Sequence, residues 1–600
     1  MKNRWALQVS SLVVVLSSPG WAQVTRLVSV SSSGAAGNGD SIHASISADG
    51  FSVAFDSLSS NLVGGDTNGA KDVYCRNLLN GQTEIDSVDA SSTLGDNVSF
   101  LPSISADGRF VAFDSEASNL VAGDTNNTWD VFVRDRSNGT IQRVSISSGA
   151  VQANDGSYQP SISADGRYVA FTSSATNLVP GDTNGVLDIF IRDRLSGVTE
   201  RVSVSSAGLQ GDGESSVPSI SADGRFVAFQ SLATNLVPGD TNGVSDIFVR
   251  DRLNGVTVRA SVNNMGSQGN GDSSLPSISA DGRIVAFQSL ANNLIGPLAF
   301  DTNGVADVFC RNLVDGTTGR VSVSSSSVAE GNNLSGHPSI SADGRFVAFH
   351  SYASNLVPGD TNGHEDVFVH DRSTDTTERV SLASNGTQGD ENSSSPSISA
   401  DGRFVAFESS ATSLVPGDTN GVDDVFLYDR NASGFTSLCF PGVDGVHACP
   451  CSNPPSVPGR GCNNSSATGG AFLTASGIAY LSMDSLVFTT FAEKPTALST
   501  VWQGPTSPAA GIVYGQGVRC VNGSLHRLYN KTAVTGSITA PDFGSGDPTV
   551  SARSAAQGDV IQPGQSRFYF VSYRDPTVLG GCPASSTFNA TQTGEVTWMP

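Results

Sequence analysis

Short apolar segments separated by polar turns recur in a fixed order through the first 430 residues. In one copy, residues 161–163 form a short segment, and residues 168–171 are an almost continuous apolar run, which is typical of a strand buried on both faces. Residues 188–192 are rich in β-branched and aromatic side chains, as strands are. Residues 201–205 alternate polar and apolar positions, which predicts a half-exposed outer strand. The unit has no helical periodicity, so the pattern predicts four strands.

Tight turns of sequence Ser-Ala-Asp-Gly-Arg connect the first two strands of most copies. Glycine supplies the unusual backbone angles of such a turn, and aspartate can bond to its own backbone. Successive turn aspartates are separated by 58, 58, 58, 58, 62 and 58 residues. A fixed period of this length indicates a repeat architecture. The turn aspartates are Asp49, Asp107, Asp165, Asp223, Asp281, Asp343 and Asp401.

Seven copies of four antiparallel strands predict an all-β fold, a seven-bladed β-propeller over residues 23–430 with about 58 residues per repeat. The last copy ends at residues 424–430 without a clear fourth strand. Residues 25–31, Thr-Arg-Leu-Val-Ser-Val-Ser, have the sequence of that strand. We therefore predict that the N-terminal strand completes the last sheet and closes the ring, which removes exposed sheet edges.

The repeated motifs S-A-D-G-R-F-V-A-F-x-S, D-V-F-V-R-D and x-G-x-T-x-R-V-S resemble the TolB-type (WD40-like) propeller repeat, in which the second residue of S-x-D-G is usually proline. The resemblance covers roughly residues 24–430 and implies the propeller fold. It says little about function, because that family includes binding scaffolds and similar propellers occur as accessory domains of enzymes.

The N-terminal segment and the composition of the chain indicate an exported protein. Residues 1–22 combine a basic start, an apolar segment and a small-residue cleavage site, as a secretory signal peptide does. No other stretch is long and apolar enough to span a bilayer. With 33 Lys and Arg against 56 Asp and Glu, the formal net charge is -23, which disfavours nucleic acid as a partner. We expect the protein to be secreted or held in the cell envelope.

The repeat pattern stops at residues 431–434, and residues 435–600 form a cysteine-rich region punctuated by Gly and Pro. Three strand-like segments predict a compact β-sandwich-like domain. Six cysteines of an exported chain can form up to three disulfides, in 15 possible pairings. A zinc site is the alternative, but the C-x-C spacing lacks a matching second pair. The candidates are Cys439, Cys449, Cys451, Cys462, Cys520 and Cys582. Cys75 and Cys310 lie within the repeats, where we expect buried, unpaired thiols.

A D-T-N-G-x-x-D loop recurs in the repeats and is the strongest candidate for a metal site. Calcium prefers oxygen ligands from carboxylates, amides and carbonyls in flexible loops. The first Asp, the Asn and the second Asp could supply three of them. The candidate ligands are Asp66, Asn68 and Asp72; Asp124, Asn126 and Asp130; Asp182, Asn184 and Asp188; Asp240, Asn242 and Asp246; Asp301, Asn303 and Asp307; Asp360, Asn362 and Asp366; and Asp418, Asn420 and Asp424.

A structural role for this loop stays open beside calcium. Asn-Gly is a turn signal in its own right, and the second Asp can simply anchor the loop at the start of a strand. The spacing is not that of an EF-hand, because no Glu follows at position twelve.

Two classes of function fit the sequence. The first is an exported, non-catalytic scaffold that presents one loop-rich face to a protein or glycan partner, with calcium as a candidate ion. The second is a propeller hydrolase or lyase that acts on an extracellular polymer. Near-identical repeats favour the first class, because catalysis needs unlike groups with separated pKa values. Unlike carboxylates or histidines that converge at the central channel would favour the enzyme.

Overall fold

The structure is a computed structural model of the 600-residue chain. It describes residues 24–295, 301–325, 329–384, 386–430, 435–438, 448–449 and 461–598, the last range apart from 469, 477–478, 480, 482–483, 485, 509–510, 515, 576–586 and 592. The predicted signal peptide lies outside the described residues, as do Cys439, Cys451 and Cys582. The chain divides into two compact units, of which one is Val24–Arg430.

Seven antiparallel sheets of four strands make up the unit Val24–Arg430, one sheet for each repeat. We call each sheet a blade and number the blades in chain order. The first strands are Ser41–Ile46, Ser99–Ile104, Ser157–Ile162, Ser215–Ile220, Ser273–Ile278, Ser335–Ile340 and Ser393–Ile398. The second strands are Ser52–Ser57, Phe110–Ser115, Tyr168–Ser173, Phe226–Ser231, Ile284–Ser289, Phe346–Ser351 and Phe404–Ser409.

The third strands follow the D-T-N-G loops and are Asp72–Asn77, Asp130–Asp135, Asp188–Asp193, Asp246–Asp251, Asp307–Asn312, Asp366–Asp371 and Asp424–Asp429. The fourth strands of blades 1 to 6 are Gln82–Ile85, Thr140–Arg143, Val198–Arg201, Val256–Arg259, Thr317–Arg320 and Thr376–Arg379. In blade 7 the fourth position is taken by Val24–Leu27, which pairs antiparallel with Asp424–Asp429. The propeller repeat and its seven sheets agree with the sequence prediction.

The outer strand differs from the prediction in its position. In blade 3 it spans Val198–Arg201 and ends where residues 201–205 were expected to begin a strand. After Arg201, the backbone N–H of Val202 still donates to the carbonyl of Ile189 at 2.7 Å, and the Ser203 hydroxyl donates to the buried Asp188 carboxylate at 2.5 Å. Val204 then forms an isolated bridge with Gln210. The alternating pattern therefore marks a segment that follows the fourth strand and is anchored to the third.

Apolar side chains of adjacent blades pack against each other. Between blades 2 and 3, Val131 and Val133 belong to one cluster of buried residues with Val169 and Phe171. Phe171 also stacks on Phe190 of its own blade, with ring centroids 6.0 Å apart. Each apolar run is therefore buried on both faces, as its sequence predicts.

The second unit contains residues 431–600, and its described part is mainly β-structure. Its strands are Phe435–Leu438, Phe472–Ser476, Val487–Phe491, Leu498–Gly504, Ile512–Tyr514, Gly517–Arg519, His526–Thr532, Thr539–Ala540, Ser566–Arg574, Phe588–Ala590 and Thr593–Thr597. They form sheets of six, three and two strands. A 3-10 turn, Phe543–Ser545, and a helix, Val550–Ala556, were not predicted. Leu473, Phe488, Val501 and Tyr569 share one buried core.

The described cysteines of the second unit are disulfide-bonded and those of the propeller unit are free, as the sequence predicts. Cys449 and Cys462 form a disulfide, and the buried Cys520 is also disulfide-bonded. Cys75 and Cys310 are free and buried, as predicted. Burial raises the pKa of the Cys310 thiol to about 12, so this thiol is unreactive at neutral pH.

Candidate functional site

Each D-T-N-G loop is held by the same hydrogen bond. The Asn side-chain amide donates to a carboxylate oxygen of the second Asp at 2.6–3.0 Å in all seven blades. In blade 3, Asn184 also donates to the carbonyl of Gly211, in the loop that leads to blade 4, at 3.0 Å. The two loops therefore lie together on one face of the propeller, which we call the D-T-N-G face.

An arginine of the fourth strand lies between the two aspartates in five blades. Its Nη1 is 2.9–3.3 Å from Oδ2 of the second Asp. In blade 3, Arg201 also lies 3.2 Å from Asp182. A guanidinium therefore supplies positive charge where a metal ion was predicted. The arginines of blades 2 to 6 are Arg143, Arg201, Arg259, Arg320 and Arg379.

Blades 1 and 7 lack this arginine. The residue paired with the central aromatic of the third strand is Arg201 in blade 3, but Ile85 in blade 1 and Leu27 in blade 7. In blade 1, the Tyr74 hydroxyl donates to Asp66 instead. In blade 7, Asp418 is 8% exposed, and its Oδ1 has no hydrogen-bond partner among the described residues. Burial raises the pKa of Asp424 to about 6. Among the residues that the structure describes, no cation forms an ion pair with the two carboxylates of blade 7.

Blade 5, in contrast to blades 1 and 7, has the arginine and also an additional acid. Glu330 stands where blades 2, 3, 4 and 6 have a glutamine, and one of its carboxylate oxygens lies within 4.8 Å of a carboxylate oxygen of Asp301 and of Asp307. Arg320 forms ion pairs with all three carboxylates. The guanidinium already occupies this cluster.

The seven first strands line one central cavity of about 450 Å³. Each first strand contains a bulge, and a non-glycine residue at each bulge has a positive φ of 48–54°. Such angles strain the backbone, and strain of this kind concentrates at functional sites. These residues differ from blade to blade: His43, Leu101, Gln159, Val217, Leu275, His337 and Ser395.

A side chain of the preceding blade supports several of these strained residues. The backbone N–H of Leu101 donates to Asp56 at 3.2 Å, and that of Leu275 donates to Gln230 at 3.1 Å. The supporting position, next to last in the second strand, also varies among the blades. Its residues are Asp56, Asp114, Thr172, Gln230, Gln288, His350 and Glu408.

Charged side chains at the axis gather where blades 7, 1 and 2 meet. His43 Nδ1 is 2.7 Å from Asp56 Oδ2, and Lys71 Nζ is 3.0 Å from Asp56 Oδ1. The backbone N–H of His43 donates to Glu408 at 3.0 Å. Burial opposes protonation of His43, but its hydrogen bond and attraction to Asp56 prevail and raise its pKa. The supporting residues of blades 3 to 5 are neutral, so this cluster makes the axis asymmetric.

A second group of titratable residues belongs to blade 6. The rings of His337 and His350 are 5.3 Å apart, and His350 Nδ1 lies 3.5 Å from Glu365. Burial, and then the neighbouring His337, lower the pKa of His350 to about 3. Burial, and then the charge of Glu408, raise the pKa of Glu365 to about 7. His350 is therefore neutral at physiological pH.

An aromatic pocket of about 420 Å³ opens beside the axis, between blades 2 and 3. The rings of Phe100 and Trp129 are stacked with centroids 5.5 Å apart, and the Trp129 and Tyr158 rings are 6.2 Å apart. All three are half-buried. His43 and Asp114 line the same pocket.

Comparison with known proteins identifies propellers and no family. No protein-family model and no curated protein matches the chain. Solved structures that are similar include the β-propeller domain of the Trilobed protease from Pyrococcus furiosus (TM-score 0.42, 13% identity, 65% of this chain and 93% of that one). They also include a putative TolB from Agrobacterium tumefaciens (0.31, 15%, 58% and 93%) and an oligogalacturonate lyase in complex with manganese (0.41, 13%, 68% and 98%). These similarities identify neither an activity nor a ligand of this chain.

The sequence prediction found the acidic loops and missed both their arginine and the axial site. The repeated Arg of R-V-S-V-S is the signal that was available, since Ile85 and Leu27 interrupt an otherwise regular pattern. The axial residues were detectable as the positions at which near-identical repeats differ. No helix of the described chain is long and apolar enough to cross a membrane.

Proposed function

We propose that the protein is an exported, non-catalytic scaffold, a propeller closed by its N-terminal strand, that binds a protein or glycan partner on the D-T-N-G face. One observation carries this proposal: the side chains that differ between blades gather around the axis on that face. They include the strained residues, their supports and the aromatic pocket. Binding sites need such unlike groups, whereas a purely structural ring has no use for them.

The charged groups at the axis favour binding over catalysis. Asp56 is fully buried and engages His43, Lys71 and the backbone of Leu101. A general acid or base must reach the proton that it transfers, and this carboxylate is already engaged by three partners. The enzyme alternative retains support from the unlike carboxylates and histidines that do converge at the axis. Turnover of a bound ligand is the result that would establish it.

Arrays of glycans and of peptides, probed with the full chain, test the proposal. A face variant carries Trp129→Ser and Glu365→Ala, which introduce the residues that blades 4 and 5 have at that position, Ser245 and Ala306. The matched control is Leu195→Ser, at a residue 78% exposed beyond the opposite end of its blade. We expect a ligand that the wild type and the control bind at least tenfold more tightly than the face variant. Equal binding by all three proteins would contradict the proposal.

We also propose calcium as the ion, and blade 7 as its site. Asp418 and Asp424 lack the arginine of blades 2 to 6 and the tyrosine hydroxyl that bonds to Asp66 in blade 1, and carboxylate oxygens are ligands that calcium prefers. Calcium at about 100 times its dissociation constant would stabilise the fold by roughly 2.7 kcal/mol. Thermal unfolding with calcium, with magnesium and with a chelator measures this effect.

Matched variants locate the calcium site. Asp418→Asn should abolish the calcium-dependent rise in Tm, while Asp182→Asn, beside Arg201 in blade 3, should retain it. A rise that survives Asp418→Asn would place the ion elsewhere, and no rise in the wild type would leave the loops a structural role alone.

A further inference from the structure

The aromatic pocket occurs once among the seven blades. Trp129 lies directly before the third strand of blade 2, where the other blades have Lys71, Leu187, Ser245, Ala306, Glu365 and Asp423. Phe100 and Tyr158 are the second residues of their first strands, where blades 4, 5 and 7 have serine. Three aromatic side chains therefore line one pocket, and each stands at a repeat position where most other blades have a residue of another type.

A carboxylate without a counter-ion lies in the wall of this pocket. Asp114 is 3% exposed. Its Oδ2 accepts the backbone N–H of Gln159 at 3.1 Å, and its Oδ1 has no hydrogen-bond partner in the described part of the chain. A buried charge is costly unless it is paired, and burial raises the pKa of Asp114 to about 7. A positive partner in the pocket would therefore stabilise the charged form of Asp114.

The cations near the pocket are already used by another acid. Lys71 and His43 both pair with Asp56. Glu116 and Asp155 are close enough to Tyr158 to raise the pKa of its hydroxyl further, after burial. The pocket therefore has a negative potential, which favours a cationic ligand.

Aromatic rings are suited to bind such a ligand. The faces of Trp, Tyr and Phe attract ammonium and guanidinium groups within about 6 Å of the ring centroid. This protein already uses the interaction here, since Lys71 Nζ lies 4.9 Å from the centroid of Phe100. Guanidinium groups also stack on aromatic planes and pair with carboxylates.

We propose that this pocket binds a basic side chain, arginine or lysine, of a protein partner, with the charge against Asp114 and the rings of Phe100, Trp129 and Tyr158 around it. The inference rests on the proposed function and specifies the partner as a protein with an exposed basic residue. A sugar ring would also contact the aromatic faces, but it would leave Asp114 without a counter-charge.

Titration calorimetry of the full chain with small probes tests this inference. The probes are Nα-acetylarginine amide, Nα-acetyllysine amide, the uncharged Nα-acetylcitrulline amide, and a set of neutral monosaccharides. We expect the arginine probe to bind at least tenfold more tightly than citrulline, which has nearly the same shape without the charge. Tryptophan fluorescence should report the same binding event, because Trp129 lines the pocket.

Two variants separate recognition from folding. Asp114→Asn retains an oxygen for the Gln159 N–H and should reduce arginine binding at least tenfold. Trp129→Leu introduces the residue that blade 3 has at this position, Leu187, and should also abolish binding while the protein stays folded. Thermal unfolding of both variants supplies the control for folding.

The remaining outcomes overturn the inference. Equal binding of arginine and citrulline would show that charge is not recognised. Binding of a monosaccharide that depends on Trp129, with none of the cations bound, would replace the basic side chain by a glycan and leave the proposed function intact. No binding by any probe would reject the pocket as a cation site, while the array experiment would still test the face as a whole.

Discussion

The two ends of each blade are built from the same strands and have opposite electrostatic character. At the S-A-D-G-R end, Arg167 binds the Asp193 carboxylate through two bonds of 2.7 and 2.9 Å, and this contact holds the pKa of Asp193 far below its usual range. At the D-T-N-G end, burial raises the pKa of Asp130 and Asp307 to about 6. The charged form of aspartate is thus stabilised at one face and destabilised at the other.

The difference follows from what each end does. The S-A-D-G-R turns join the blades, because the N–H of each turn alanine donates to the turn carbonyl of the next blade, as in Ala164 to Ala222 at 3.0 Å. This series includes Ala400 to Ala48, between blade 7 and blade 1. The same turn sequence, Ser-Ala-Asp-Gly, makes this connection in all seven copies. Around the axis on the D-T-N-G face, the side chains differ from blade to blade.

The largest expected effect distinguishes blades with the arginine from those without it. Asp188→Asn removes one of the two carboxylates that pair with the largely buried Arg201, and breaking a buried ion pair costs about 3–5 kcal/mol. Asp424→Asn, the matched change beside Leu27, should cost about 1 kcal/mol, in the range of single hydrogen bonds. Urea unfolding of both variants measures the two free energies. Equal losses would show that the arginine contributes nothing to the loop.

The pH dependence of stability tests the contrast between the two ends. A raised carboxylate pKa, as at Asp130 and Asp307, means that the folded state binds more protons than the unfolded state, so stability should fall as pH rises from about 4 to 7. A lowered pKa, as at Asp193 and Asp371, adds stability above the unfolded pKa that is lost below about pH 4. We expect maximum stability near pH 4, with a fall toward pH 8 of at least about 1.4 kcal/mol, the equivalent of one pKa unit.

Thermal unfolding from pH 3 to pH 9, in the presence of a chelator, measures this profile. Asp130→Asn should flatten the decline between about pH 4 and 7 without altering the decline in acid. A stability that rises steadily toward pH 8 would contradict the raised pKa values of the D-T-N-G face.

Leu27→Arg should convert blade 7 to the arrangement of blade 3. The introduced guanidinium would compensate Asp418 and Asp424, and hydrogen bonds to charged groups contribute about 1.5–3 kcal/mol. Part of this gain is lost, because Leu27 packs against the core between blades 6 and 7. We expect a net gain of about 1 kcal/mol without calcium and a weaker response to calcium. An unchanged calcium response would place the ion outside blade 7.

The smallest effect concerns the S-A-D-G-R end. Arg167→Ala removes a partly exposed ion pair with two hydrogen bonds, for which we expect a loss of about 1 kcal/mol. The matched control is Arg283→Ala in blade 5, where Asn312 replaces the aspartate, and there the change should stay within about 0.5 kcal/mol. Denaturant midpoints of both variants decide between these values.

The repeat and most of its strands were predictable because their causes are local. The turn at Gly166, where φ is 72°, and the apolar run that follows it depend on residues close together in the sequence. The fourth strand was misplaced, because Arg201 and Ser203 are fixed by contacts with Asp188, outside their own segment. Calcium binding and the pairings of Cys439, Cys451 and Cys582 remain predictions.

By itself, the sequence determined the all-β class, the seven repeats and the acidic loops, since periodicity and turn chemistry act over a few residues. Tertiary structure alone decided what surrounds each acid: Arg201 lies beside Asp188, but Leu27 takes that place beside Asp424 from the other end of the propeller segment. It also brought Glu408 to His43, 365 residues away along the chain. The physical reason is that electrostatic and packing interactions depend on distance in space. Only the folded chain brings residues that are far apart in the sequence close together.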